Sequence, residues 1–131
     1  MEGWPKYYVG LTRSGALEVK LGSPNPDSIE REAQRFRDMG LEEGKHFTVK
    51  MPKGGKKGYV SILREGLEHA AWLSVRGEGE QRELAVVFVE YILQRAKEEG
   101  DDIYEKASKI VDEGKSRGRS EERRVGKECA D

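Results

Sequence analysis

Residues 45–64, KHFTVKMPKGGKKGYVSILR, decide the fold. Phe47, Val49 and Met51 alternate with His46, Thr48 and Lys50, which is the period-two pattern of a half-buried strand. Tyr59-Val60-Ser61-Ile62-Leu63 is a second such run, rich in β-branched and aromatic residues. Between them Pro52 to Gly58 supplies the polar, glycine-rich reversal that a hairpin needs. The same stretch carries Lys45, Lys50, Lys53, Lys56, Lys57 and Arg64 and no acid at all.

Toward the N-terminus the alternation returns. Tyr7, Val9 and Leu11 share one face while Tyr8, Gly10 and Thr12 share the other; Leu17, Val19 and Leu21 point inward with Glu18 and Lys20 outward. Arg13-Ser14-Gly15 joins the two runs, so the pair reads as a first hairpin. Between the hairpins Asn25 suits an N-cap, Pro26 a first helical position, and Asp27 the positive end of the helix dipole. A helix through Ile29, Ala33 and Phe36 is expected there, with Glu30, Arg31, Arg35 and Arg37 on its solvated side and Gly40 ending it.

Toward the C-terminus the pattern turns helical. Leu67, Ala70, Ala71 and Ser74 fit one face of a short helix that Gly77-Glu78-Gly79 breaks. Leu84, Val87, Phe88, Tyr91 and Ile92 then recur at intervals of three and four, and Val86, Val89 and Leu93 widen the stripe. So wide a stripe implies a helix covered on more than one side. Lys97 to Gly100 ends it, Asp101 or Asp102 caps a last helix, and Ile103, Ala107, Ile110 and Val111 form an apolar face expected to stop at Gly114. The plan is α+β: an antiparallel sheet from two hairpins (β-β-α-β-β) covered by C-terminal helices.

Composition bounds the rest. The 131 residues are 37% charged and 35% hydrophobic, with 24 Lys+Arg against 25 Asp+Glu. No run approaches the roughly 18 apolar residues of a membrane-spanning helix, the first 22 residues lack an apolar signal core, and Cys129 is the single cysteine. A soluble, cytoplasmic protein of one domain is expected. Three Gln and one Asn beside abundant Glu, Lys and Arg give the Lys/Glu-rich, amide-poor balance of hyperthermophile proteins.

Charge is unevenly placed. Residues 78–118 hold eleven acids and seven bases, opposite in sense to 45–64. The basic hairpin could follow a phosphate backbone, through Lys45, His46, Lys50, Lys53, Lys56, Lys57, Tyr59 and Arg64, with His46 and Lys50 expected on its outward face. The same lysines would also blunt an exposed strand edge. Lys53-Gly54-Gly55-Lys56-Lys57-Gly58 is not a phosphate loop, because no Gly-Lys-Ser/Thr opens a helix there; it reads as a flexible basic hairpin tip.

Chemistry beyond binding finds little support. His46 and His69 fall on different elements with no ligand partners at metal spacing, so no metal or cofactor is expected. No serine sits in a nucleophile elbow, and the acid pairs Glu42-Glu43, Glu98-Glu99 and Asp101-Asp102 mark helix ends. A non-enzymatic protein is the expectation.

Arg119 to Cys129, RSEERRVGKEC, resembles the in-frame translation of a common sequencing adapter. It has no apolar period and is expected to be a disordered tail, 119–131, after a single domain, 1–118, that is a fragment of a longer frame.

Two resemblances bear on this reading. Residues 6–118, from KYYVGLTRSGALEVKLGSPNPDSIEREAQRF through HAAWLSVRGEGEQRELAVVFVEYILQRAKEEG to DDIYEKASKIVDEGKSRG, resemble the PaRep type-two (b) proteins. These form an archaeal paralogous family labelled from Pyrobaculum; the likeness implies a hyperthermophile source and no defined activity. The order strand-strand-helix-strand-strand-helix also resembles half of a LAGLIDADG homing endonuclease, whose antiparallel saddle grips the major groove of double-stranded DNA. That likeness implies DNA contact through His46, Lys50 and the 53–57 loop. The family's metal-binding acid ends a helix ahead of the first strand, where this sequence has only Met1 to Pro5, so nuclease activity does not carry over. The alternatives are an assembly module in which the apolar helix 80–99 meets a second copy or a missing domain, and a homing-endonuclease-like protein truncated at its start.

Overall fold

Both stretches of alternating residues form antiparallel hairpins. A computed structural model describes the backbone of residues 5–130 and the side chains of residues 5–117. β1 (Tyr8–Leu11) pairs with β2 (Leu17–Ser23), placing Val9 opposite Val19, and β3 (Phe47–Lys50) pairs with β4 (Gly58–Ile62), placing Val49 opposite Val60. β2 and β4 then pair antiparallel, Leu21 against Val60, which joins the hairpins into one sheet ordered β1-β2-β4-β3. The alternation sends Tyr7, Val9, Val19, Phe47, Val60 and Ile62 to one side, where all are buried.

α1 (Pro26–Met39) has the ends the sequence predicts. Asn25 Oδ1 accepts a hydrogen bond from Asp27 N at 2.9 Å, Pro26 opens the helix, and Gly40 closes it. Its buried face, Ile29, Ala33 and Phe36, meets the sheet. Phe36 is a hub: its ring centroid lies 5.4 Å from Phe47, 5.3 Å from Phe88 and 6.2 Å from Tyr7. Such aromatic pairs contribute about 0.5–1.5 kcal/mol each beyond their buried area.

α2 (Arg64–Arg76) follows β4 directly, and α3 (Gly79–Glu99) follows the Gly77 break. α3 contacts α1, α2, α4 and β1, which accounts for the breadth of its apolar stripe. α4 (Asp101–Ala130) packs mainly on α2, and its Ala107, Ile110 and Val111 are buried in the core. Where a disordered tail is expected over 119–131, the backbone continues α4 to Ala130; the side chains of that stretch lie outside the described residues. The expected stop at Gly114 is corrected: the helix runs through it. A methyl group at Gly114 would collide with the carbonyl oxygen of Glu68 and stand 2.7 Å from Ala71 Cβ, so glycine is there because α2 and α4 touch backbone to backbone. Among the described residues no helix is long and apolar enough to cross a membrane.

A buried polar clasp fixes the start of the sheet. Tyr7 Oη donates to Glu32 Oε1 at 2.8 Å, and Tyr7 N donates to Tyr91 Oη at 3.0 Å, which in turn donates to Pro5 O at 2.6 Å. Arg95 donates from Nε and Nη2 to Tyr7 O, each at 3.1 Å, while its guanidinium is held by Glu98 and Glu99. Burial, with the Glu32 carboxylate beside it, pushes the Tyr7 phenol far above its ordinary range, so it stays a neutral donor. Because Tyr7 is pinned inward, strand alternation turns Lys6 and Tyr8 outward.

Candidate nucleic-acid interface

The outer face of the sheet is the inverse of its core. Its register brings Tyr8, Lys20, Ser61 and Thr48 into one row across all four strands, and Gly22, Tyr59 and Lys50 into the next. Gly10 and Glu18 complete the outward positions, and Glu18 is the one acid among them. Among the described residues no helix covers this face. Tyr8 is 50% exposed and Tyr59 39%, two of the four large hydrophobic side chains left open to solvent among the described residues. A shallow hollow of about 380 Å³ lies between them, bounded also by Lys6, Lys20, Gly22 and Lys57.

The turn beside the face is a defined structure. Lys53 and Lys56 exchange backbone hydrogen bonds, N to O at 3.2 and 3.1 Å, around Gly54 and Gly55. Both glycines have positive φ, 60° and 79°, as a two-residue type I′ turn requires and as side chains resist. The basic hairpin tip is thus a tight turn that holds two lysines at its ends.

The eight candidate residues do not share one surface. Lys50 and Tyr59 lie on the open face, Lys57 at its hollow, and Lys53 and Lys56 on the adjoining turn. Arg64 opens α2 and is taken up by Glu68 and Glu113, at 3.0 Å each, and these partners raise its pKa. Lys45 lines a separate recess with Glu65, Glu68, His69 and Trp72.

His46 corrects the expectation most sharply. It is 6% exposed rather than outward, since α2 folds back after β4 and lays His69 flat on the imidazole, with ring centroids 4.6 Å apart and planes within 1°. Trp72 stacks in turn on His69, ring centroids 5.5 Å apart. His46 Nδ1 accepts from Glu42 N at 2.9 Å, which fixes a neutral ring with its proton on Nε2. Burial lowers the pKa of both imidazoles; Lys45 adds to this at His46, and His46 and Lys45 add to it at His69.

Lys6, Tyr8, Lys20 and Gly22 belong to the face yet lie outside the basic hairpin. The signal for them was present in the first hairpin, whose alternation places Tyr8 and Lys20 outward. What alternation does not show is that β2 pairs with β4, bringing that outward row beside Tyr59. Among the described residues no group of three or more His, Cys, Asp or Glu side chains could hold a metal ion.

Fold and face together define an α+β domain whose four-stranded antiparallel sheet is helix-covered on one side and basic and aromatic on the other. No family model matches the chain, and neither a curated protein nor a solved structure matches it.

Proposed function

We propose that this chain is a non-catalytic nucleic-acid-binding protein of the PaRep type, which holds DNA on the open face of its sheet and on the basic turn beside it. One observation carries the reading. Lys6, Lys20, Lys50 and Lys57 gather around the open face, with Lys53 and Lys56 on the adjoining turn, against the single strand-borne acid Glu18. Lysines that neutralise phosphates release counterions, which is the main source of sequence-independent affinity for DNA. The likeness of element order to a LAGLIDADG half supports a sheet as the contacting surface; binding without strand cleavage is proposed here.

Fluorescence anisotropy with a labelled duplex tests this. If about four phosphates are neutralised, affinity falls roughly 100-fold between 50 and 200 mM salt. Changing Lys50, Lys53, Lys56 and Lys57 together to Glu abolishes binding, while Lys45→Glu, on the separate recess, leaves it intact. Absence of binding at low salt, or indifference to the fourfold charge reversal, overturns the proposal.

A further inference from the structure

We infer that the preferred occupant of the open face is single-stranded nucleic acid, with bases stacked on Tyr8 and Tyr59 and phosphates held by the lysines around them. The inference rests on the nucleic-acid reading above and names the form of the ligand.

Lysines alone would suit any polyanion. The tyrosines ask for more, since each is paired with a glycine that keeps its surroundings flat. A methyl group at Gly10 would stand 2.5 Å from Tyr8 Oη and 2.9 Å from its Cζ, so the Tyr8 ring lies along the sheet over Gly10. Gly22, directly opposite Tyr59 in the β2–β4 register, raises no side chain between the two rings. A tyrosine lying on a sheet offers a ring face, and ring faces bind other ring faces.

Duplex DNA can meet the lysines through its phosphates but leaves the tyrosine faces unused. Its bases are stacked on one another at about 3.4 Å intervals and show a protein only their edges. A single strand can splay its bases and present their faces, which is how aromatic side chains engage it. The geometry of the pair agrees. Tyr8 and Tyr59 are two strands apart and offset by two residues, which at about 4.8 Å per strand and 3.4 Å per residue sets their Cα atoms roughly 12 Å apart. The Tyr8 ring leans toward Gly10, on the side away from the Tyr59 row, so it does not close that gap, which is too large for neighbouring stacked bases and suits two splayed ones.

The lysines complete the arrangement. Lys20 Nζ lies 5.7 Å from the Tyr8 ring centroid and 3.6 Å from Glu18. Lys20 thus lies over the Tyr8 ring, but both contacts are at the surface, so a base stacking on Tyr8 displaces the ammonium, which exchanges them for a neighbouring phosphate. Lys57 and Lys6 border the hollow between the tyrosines.

The test measures anisotropy of a labelled 12-nucleotide oligothymidine and of a 12-base-pair duplex, with circular dichroism melting to confirm that each variant folds. The account predicts that the wild-type protein binds the single strand more tightly. Tyr8→Ala and Tyr59→Ala each weaken that binding about tenfold, whereas Tyr8→Phe and Tyr59→Phe, which keep the ring, retain it. Duplex preference, or single-strand binding that ignores both alanine variants while still depending on the lysines, overturns the stacking inference and leaves the charge-based reading standing. Binding of neither probe at low salt overturns both.

Discussion

At the scale of single residues, Tyr7 and His46 show how far local pattern reaches. Tyr7 goes inward as alternation requires, and its hydroxyl, amide and carbonyl are all engaged by helices distant in sequence. His46 breaks the same rule because it precedes β3, where the covering element is α2 rather than solvent. The stacked pair makes a pH prediction. Both imidazoles have pKa values lowered in the folded state, chiefly by burial, with Lys45 opposing protonation and Glu42 nearby favouring it at both rings, joined by Glu65 at His46. The fold thus favours the neutral rings, so their contribution is present above the ordinary histidine pKa of about 6.5 and is lost as pH falls below it. Proton NMR should find both histidines titrating below 6.5, and the urea midpoint should fall between pH 7 and pH 5.5. Titration above 6.5, or a midpoint that rises over that interval, contradicts this.

At the scale of elements, caps and periods were legible and contacts between elements were not. Asn25, Pro26 and Gly40 marked α1 at both ends because the signals are local to the residues that bear them. The width of the α3 stripe announced cover on several sides, and α1, α2, α4 and β1 supply it. Gly114 misled because a glycine that ends a helix and one that admits a neighbouring helix look alike in sequence; only the position of α2 distinguishes them. The distinction can be measured. Gly114→Ala would be mildly favourable in an isolated helix, but overpacking against Glu68 and Ala71 costs about 1–3 kcal/mol. Urea denaturation should show that loss; an unchanged or raised midpoint would mean that α2 and α4 are not in backbone contact.

At the scale of the whole molecule, a net charge of −1 conceals two unlike sides. The helical half from residue 78 to 118 is acidic, and the open sheet face is basic with one acid. Half of the candidate site was legible, as the basic run 45–64 and its hairpin. The other half was not, because strand order is a tertiary fact: the pairing of β2 with β4 sets Tyr8 and Lys20 beside Tyr59 and Lys50, and the docking of α2 removes His46, Lys45 and Arg64 from that surface. A polyanion should therefore meet the sheet and avoid the histidine stack. Amide chemical-shift mapping during titration with an oligothymidine tests that claim most directly. The account predicts perturbations concentrated at Tyr8, Lys20, Gly22, Lys50, Tyr59 and Ser61; perturbations centred instead on Lys45, His46 and Arg64, or none at saturating oligonucleotide, contradict it.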